Sequence, residues 1–141
     1  MDQRAQVLIV DHEEHVRQGL QALLAAWPEI KVVGAVENGV EAVQLVEKYR
    51  PDVALMDIPI PVPALSRSPE RSEGSAERMD GLETIRLIKS RWPQVRIVVL
   101  TMYTAHRAAA LAAGADAFLL KGCSAQDLLE AIVSQASIGR G

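Results

Sequence analysis

The residues best suited to chemistry each come directly after a short apolar segment. Asp11 follows "QVLIV" and Asp57 follows "VALM", while Thr101 follows "RIVVL" and Lys121 follows "AFLL". A carboxylate can act as a nucleophile or bind a metal ion. Each of these residues alone would be an ordinary loop or capping residue, but four of them at equivalent positions indicate a functional site, provided that the fold brings them to one rim.

Residues 11–15 read "DHEEH" and raise the question of a metal site. His12 and His15 are three residues apart, whereas the zinc-binding H-E-x-x-H helix motif places its histidines four apart. No third ligand is obvious nearby, so an independent zinc site is disfavoured. Glu13, Glu14 and His15 are interpreted as the solvated start of the first helix, and a transition metal bound through His12 is a minor alternative.

Short apolar runs and amphipathic segments alternate along the chain. Runs of four or five mostly apolar residues, rich in Val and Ile, are typical of strands buried on both faces. They are predicted at 6–10, 31–35, 52–56, 96–100 and 117–120.

The amphipathic segments between these runs predict five helices. Apolar residues at helical spacing give them inward faces. In the first helix that face comprises Val16, Leu20, Leu23, Leu24 and Trp27, and Pro28 ends the helix. The later helices are predicted at about 39–49, 82–92 and 105–114 and from residue 124 onward.

Residues that cap or end helices support these boundaries. Asn38 is predicted to cap the second helix, and Ser124 the last, with Asp127 at the capping-box position. Pro93 ends the third helix. The fourth is Ala-rich and ends at Gly114, and its shallow apolar face predicts loose packing.

This alternation predicts an α/β fold, a doubly wound five-stranded parallel sheet flanked by five helices. In such sheets the functional crevice lies at the carboxyl ends of the strands. Asp11, Asp57, Thr101 and Lys121 all come at those ends, which makes one shared site the favoured interpretation.

Composition excludes several classes of function. The chain has 141 residues, 49% of them hydrophobic, and a net charge of −3, so a nucleic-acid-binding surface is not expected within it. No apolar run is long enough to span a membrane, and "MDQRAQ" has no apolar signal region. The single Cys123 suits a reducing cytoplasm and is interpreted as a helix-start residue rather than a redox switch.

One segment interrupts the alternation. Residues 62–78, "VPALSRSPERSEGSAER", have no aromatic residue and no helical apolar stripe. This is the composition of a disordered loop. A tolerated insertion is favoured over a partner-binding or regulatory loop, because doubling the length of a loop costs only about 0.6 kcal/mol.

Five motifs in order resemble the receiver domain of bacterial response regulators, in particular the NarL/FixJ group. They are "VLIVDHEEHVRQGL", "PDVALMDIPIP", "MDGLETIRLIK", "RIVVLTMYT" and "AGADAFLLKGCSAQDLLEAI". The resemblance covers the whole chain except 62–78. It implies a single receiver domain over 1–141 with a flavodoxin-like fold, which a sensor histidine kinase phosphorylates on an aspartate.

The resemblance also implies roles for individual residues. Asp57 matches the phosphoacceptor, Thr101 the hydroxyl that bonds the phosphoryl group, and Lys121 the lysine that pairs with its charge. Phe118 matches the aromatic switch residue that turns inward when Thr101 moves. Phosphoryl transfer depends mainly on positioning and on neutralising charge, which these groups would supply.

Magnesium is the cofactor that the resemblance implies. Its ligands would be Asp11, Asp57 and the backbone carbonyl of Pro59. Receiver domains usually carry two consecutive acids after the first strand, but His12 stands at the second position. Histidine is a poor ligand for a hard cation, so weakened Mg²⁺ binding is expected. Glu13, one residue further on, could reach in.

Two further departures concern length. The family has about one residue where this chain has seventeen between Pro61 and Met79, which places the insertion next to the site. The stretch from Thr101 to Gly114 is about two residues shorter than usual, which would alter the fourth helix and a surface that often carries dimerisation.

Two functions of different classes remain open. One is a working phospho-receiver. The other is a pseudo-receiver that binds partners without being phosphorylated. Turnover of outside substrates is not expected, because dehalogenase-like hydrolases carry a second Asp where this chain has Pro59. A nucleotide-binding or flavin-binding domain is not expected either, because no Gly-rich loop follows strand one. Homodimers are possible, and DNA binding is expected only through an output domain, which is not predicted within these residues.

Overall fold

A computed structural model describes residues 4–58 and 81–140, without the side chains of residue 106 and residues 134–140. Five parallel strands in these ranges form one sheet in the order β2-β1-β3-β4-β5. They are β1 (Ala5–Val10), β2 (Ile30–Val36), β3 (Val53–Met56), β4 (Arg96–Thr101) and β5 (Ala117–Leu120).

Five α-helices in the described ranges connect and cover these strands. They are α1 (Glu14–Ala25), α2 (Gly39–Tyr49), α3 (Gly81–Arg91), α4 (Arg107–Ala113) and α5 (Ala125–Arg140), with a 3-10 turn over Thr104–His106 before α4. The predicted doubly wound five-stranded α/β fold is confirmed. The predicted loop at 62–78 lies outside the described residues.

Two apolar clusters cover the two faces of the sheet. Leu8 and Val10 of β1 belong to the cluster under α2, α3 and α4, whereas Val7 and Ile9 belong to the cluster under α1 and α5. Successive residues of a strand point to opposite faces, so a run of apolar residues is buried on both sides. The central strands confirm that prediction.

The edge strands differ from the prediction of burial on both faces. Residues 32–36 of β2 and 117–119 of β5 are only half-buried, and Leu120 is 39% exposed. These strands have a partner on one side only, so their side chains meet fewer covering helices.

The predicted caps are present. The side-chain oxygen of Asn38 accepts a hydrogen bond from the Glu41 amide at 2.9 Å, and Ser124 Oγ accepts one from the Asp127 amide at 3.0 Å. Each satisfies an amide that the first turn of a helix leaves without a partner. Gly114 follows α4 with φ +120, a conformation that glycine adopts without strain.

Two helix predictions were wrong in detail. The α1 helix ends at Ala25, because the next two amides, of Ala26 and Trp27, bond to carbonyls three residues back in a tighter turn. Leu23, predicted to face inward, is 37% exposed, whereas Leu24, for which the same was predicted, is fully buried.

The α4 helix was expected to pack loosely, but Ala110 is fully buried and Ala113 nearly so. Small side chains allow this short helix to approach its neighbours closely. No helix among the described residues is long and apolar enough to cross a membrane.

Candidate functional site

Backbone register brings two carboxylates to the same rim of the sheet. Val10 of β1 pairs with Met56 of β3, so the residues that follow them, Asp11 and Asp57, leave adjacent strands side by side. The Asp57 amide donates to the Val10 carbonyl at 2.9 Å, and the Asp11 amide donates to the Val36 carbonyl at 3.0 Å. Sheet hydrogen bonds thus fix both aspartates at their positions.

Lys121 bridges the two carboxylates. Its Nζ lies 3.0 Å from Asp11 Oδ2 and 3.5 Å from Asp57 Oδ2, and the three side chains are 13%, 2% and 7% exposed, respectively. The Lys121 amide also donates to the Thr101 carbonyl at 2.7 Å, which ties the end of β5 to the end of β4. Such a buried ammonium–carboxylate cluster depends on all its partners, because an unpaired buried charge is strongly unfavourable.

His12 covers this cluster from the solvent side. Its Nδ1 lies 3.5 Å from Asp57 Oδ2 and 3.9 Å from Asp11 Oδ1, while its side chain is 56% exposed. In the described part of the chain, Asp11, His12 and Asp57 form a group whose potential metal-ligand atoms all lie within 4.8 Å of one another.

The neighbours of His12 stay outside this group. Glu13 contributes its backbone, since its amide donates to Asp11 Oδ1 at 2.9 Å. Its side chain does not join the potential ligand group in the described residues. Glu13, Glu14 and His15 are exposed at the start of α1, as predicted.

Thr101 lies at the end of β4 and is 1% exposed. Its Oγ1 donates to the Ile58 carbonyl at 3.3 Å, a long and therefore weak bond to the residue after Asp57. Phe118 of β5 pairs with Val99 and is half-buried against the cluster that contains Val99. Pro59, whose carbonyl the family resemblance makes a metal ligand, lies outside the described residues.

Burial and neighbouring charges shift the pKa values of two groups in the site. Burial raises the pKa of Asp57 above its ordinary 3.8; the charge of Lys121 opposes this shift, and that of Asp11 adds to it. Burial lowers the pKa of Lys121, but its hydrogen bond to Asp11 and the charge of Asp57 outweigh that effect and raise it overall. The lysine therefore stays charged, and the two carboxylates compete for it.

Sequence reasoning missed Arg17. From the end of the first turn of α1, its Nη1 donates to the Asp11 carbonyl at 2.7 Å and holds the loop that carries Asp11 and His12. Any residue type can supply a backbone carbonyl, so this contact cannot be recognised in the sequence. The sequence shows only a basic residue near the start of the helix.

A cleft opens beside the carboxylates, with a volume of about 40 Å³, which exceeds the roughly 15 Å³ that one water needs. Its walls come from the ends of β1 and β3 and the starts of α2 and α3: Val10, Asp11, His12, Glu37, Asn38, Gly39, Met56, Asp57, Gly81 and Thr84. Two carboxylates at the edge of the cleft suit a divalent cation, because hard cations prefer oxygen ligands. The imidazole of His12 offers one nitrogen ligand in addition.

Comparison with known proteins identifies a family. The family model described as the response regulator receiver domain matches residues 7–63 and 75–133. The transcriptional regulatory protein DegU of Brevibacillus brevis is 35% identical over 136 residues, covering 93% of this chain and 50% of that protein. The response regulator protein VraR of Staphylococcus aureus is 34% identical over 128 residues, covering 89% of this chain and 54% of that protein.

Solved structures agree with these matches. The signal receiver domain of NarL from Mycobacterium tuberculosis is 25% identical and superposes with a TM-score of 0.77, over 96% of this chain and 98% of that one. The chain spans about half the length of the curated relatives it matches.

Proposed function

This chain belongs to the response regulator receiver domain family of two-component signalling, and we propose that Asp57 accepts a phosphoryl group from a histidine kinase. The observation that supports this most strongly is the position of Asp57. Asp57 directly follows the central strand β3, with Lys121 Nζ at 3.5 Å from its carboxylate and Asp11 beside it after the neighbouring strand β1. A nucleophile flanked by a fixed ammonium group meets the main needs of phosphoryl transfer.

In the proposed reaction, a carboxylate oxygen of Asp57 attacks phosphorus. The bond from phosphorus to the imidazole nitrogen of the donor histidine breaks, and its electron pair stays on that nitrogen. Lys121, already held between the carboxylates, neutralises charge on the transferred oxygens. Its position costs no reorganisation, which is how preorganised charges contribute most to catalysis.

A divalent cation would be held by Asp11 and Asp57, with His12 beside them and Pro59 contributing its carbonyl by family resemblance. Bound there, it would neutralise charge on the phosphoryl oxygens. We propose Mg²⁺ as the ion that supports phosphorylation.

The signalling switch is proposed to begin at Thr101. Its hydroxyl now bonds the Ile58 carbonyl at 3.3 Å, and a phosphoryl oxygen on Asp57 would be a stronger, charged acceptor. Alternation along β4 puts Thr101 on the face of Val99, against whose cluster Phe118 is half-buried. Movement of Thr101 would thus open room for the Phe118 ring to turn inward.

We further propose a cytoplasmic regulator of transcription whose receiver acts on a DNA-binding segment. The relatives DegU and VraR, a transcriptional regulator and a response regulator by name, extend well beyond the matched region. The kinase is the expected phosphoryl donor, a homodimer is the expected active state, and turnover of outside substrates is not expected.

Intact mass after incubation with acetyl phosphate tests the proposal. A gain of one phosphoryl group that requires both Mg²⁺ and Asp57, and is absent in Asp57→Asn, would support it. No gain in a folded protein would argue for a receiver that binds partners without phosphorylation. His12→Asp would then show whether the missing acid is the cause, because regained labelling in that variant would assign the loss to His12.

A further inference from the structure

The group of potential metal ligands at the rim includes one nitrogen atom, from His12. His12 stands beside two carboxylates, with its Nδ1 at 3.5 Å from Asp57 Oδ2 and its side chain 56% exposed. We propose that Asp11, His12 and Asp57 together bind a borderline divalent transition ion, such as Zn²⁺ or Co²⁺, in preference to Mg²⁺. The inference rests on the proposed function only in assigning the ion to the same pair of carboxylates.

Distances between the ligand atoms support this choice. Around a tetrahedral zinc ion with ligands at about 2.0–2.1 Å, neighbouring ligand atoms lie roughly 3.3–3.4 Å apart. Around an octahedral magnesium ion at similar distances they lie roughly 2.9 Å apart. His12 Nδ1 lies 3.5 Å from Asp57 Oδ2 and 3.9 Å from Asp11 Oδ1, so the spacing is closer to that of the tetrahedral ion.

Lys121 occupies one oxygen of Asp11 and leaves the other to His12. Its ammonium group bonds Oδ2 of Asp11 at 3.0 Å, whereas His12 approaches Oδ1 of the same carboxylate. An ion held between His12 and the carboxylates would still compete with Lys121 for Asp57 Oδ2, which His12 Nδ1 and Lys121 Nζ each approach at 3.5 Å. Any ion must therefore gain enough from its ligands to offset that competition.

The chemistry of the ligands decides which ion binds tightly enough to compete with Lys121. Imidazole binds Zn²⁺, Co²⁺ and Ni²⁺ strongly, while Mg²⁺ prefers oxygen and loses its waters reluctantly. For a transition ion, His12 adds a ligand to the two carboxylates. For Mg²⁺ it replaces a carboxylate with a group that contributes little, so His12 separates the two classes of ion.

Calorimetric titrations of the full chain with Zn²⁺, Co²⁺ and Mg²⁺ test the inference. His12→Ala should weaken binding of Zn²⁺ and Co²⁺ at least about tenfold, because it removes a direct ligand, and should change Mg²⁺ binding less than about twofold. His12→Asp should strengthen Mg²⁺ binding by about tenfold or more. His15→Ala is the matched control, since it removes an exposed histidine three residues away, and it should change neither.

Several results would overturn the inference. They are an unchanged Zn²⁺ affinity in His12→Ala, an equal loss in His15→Ala, or wild-type protein that binds Mg²⁺ more tightly than Zn²⁺. A second readout is the ring resonances of His12, which should shift on adding diamagnetic Zn²⁺ but not Mg²⁺; equal shifts with both ions would also contradict it.

The two proposals fail separately. Zinc binding that depends on His12, without labelling of Asp57 in any ion, would remove the phosphoacceptor role and leave the metal site. If wild type and His12→Ala were labelled equally in Mg²⁺ and had the same affinity for Zn²⁺, the transition-ion site would be removed and the phosphoacceptor role of Asp57 would stand.

Discussion

Replacing Lys121 with methionine tests whether its ammonium group holds the acidic cluster together. Methionine keeps an unbranched side chain of similar length and removes only the charge and its hydrogen bonds. Asp11 and Asp57 would then face each other without a counter-ion, with side chains only 2% and 7% exposed. We expect Lys121→Met to lower the free energy of unfolding at pH 7 by about 2–3 kcal/mol.

The magnitude follows from opposing terms. At an effective dielectric constant of about 20, unit charges at the observed 3.0 and 3.5 Å attract by roughly 5.5 and 4.7 kcal/mol. Withdrawing Lys121 from water offsets much of this gain, and losing one member of a buried pair costs about 3–5 kcal/mol in measured cases. The expected loss lies at or just below the lower limit of this range, because the Glu13 amide still donates to Asp11 Oδ1 at 2.9 Å.

Protonation sets the pH dependence of this loss. Without Lys121, the pKa of Asp57, already raised by burial and by Asp11, should rise further. One carboxylate then takes up a proton as the pH falls and the repulsion disappears. The penalty of Lys121→Met should therefore be larger at pH 8 than at pH 5.

Urea unfolding followed by circular dichroism, with EDTA to remove cations, measures these differences. Adding Asp57→Asn to Lys121→Met should recover at least about 1 kcal/mol relative to additivity, because a neutral side chain no longer repels Asp11. Lys48→Met, at an exposed position on α2, is the control and should stay within about 0.5 kcal/mol of wild type. A Lys121→Met variant within that same range would show that Lys121 does not stabilise the folded cluster.

Three further predictions concern single positions. Asp57→Asn should be more stable than wild type at pH 7. Because the pKa of Asp57 in the folded protein lies above 3.8, wild-type stability falls as the pH rises from 3.8 through that folded pKa. Urea unfolding curves of the variant, measured over this pH range, should lack the fall. Gly114→Ala should lose about 1–2 kcal/mol in urea unfolding, because φ is +120 and a Cβ would lie 3.0 Å from Lys89 Cγ; an unchanged midpoint would contradict the assigned backbone conformation. Thr101→Val should lower the free energy of unfolding by about 1 kcal/mol or less, since the bond from Thr101 to the Ile58 carbonyl is long. It should nevertheless slow the labelling of Asp57 by acetyl phosphate, whereas Thr101→Ser should be labelled at nearly the wild-type rate. Equal labelling rates in the two variants would contradict a role for the hydroxyl.

Elements whose signals are local were predictable from sequence. The α2 helix runs over Gly39–Tyr49 as predicted, because Asn38 supplies a cap bond and Arg50 ends the helix in the left-handed conformation. The apolar runs also located all five strands to within one residue at each end. Strands that alternate with helices form a parallel sheet, and the carboxyl ends of parallel strands all lie at one rim.

Details that depend on the rest of the fold were not predictable. Leu23 belongs to the same apolar pattern as Leu24, yet only Leu24 is buried, because the sheet covers less of the helix than the stripe is wide. Likewise, "AFLL" does not reveal that β5 lies at the sheet edge. Sequence predicted which polar groups share the rim, but not that Lys121 bonds Asp11 more closely than Asp57.

Charge at the rim connects the stability of this receiver to its choice of ion. Asp11 and Asp57 carry two negative charges and Lys121 one positive charge, so the cluster has a net charge of −1 when His12 is neutral. With an acid in place of His12, as receiver domains usually have, the net charge would be −2 and the attraction for any dication correspondingly greater. Electrostatic attraction alone is therefore weaker here for every dication. A strong ligand such as imidazole must make up the difference, and it does so for transition ions and not for Mg²⁺.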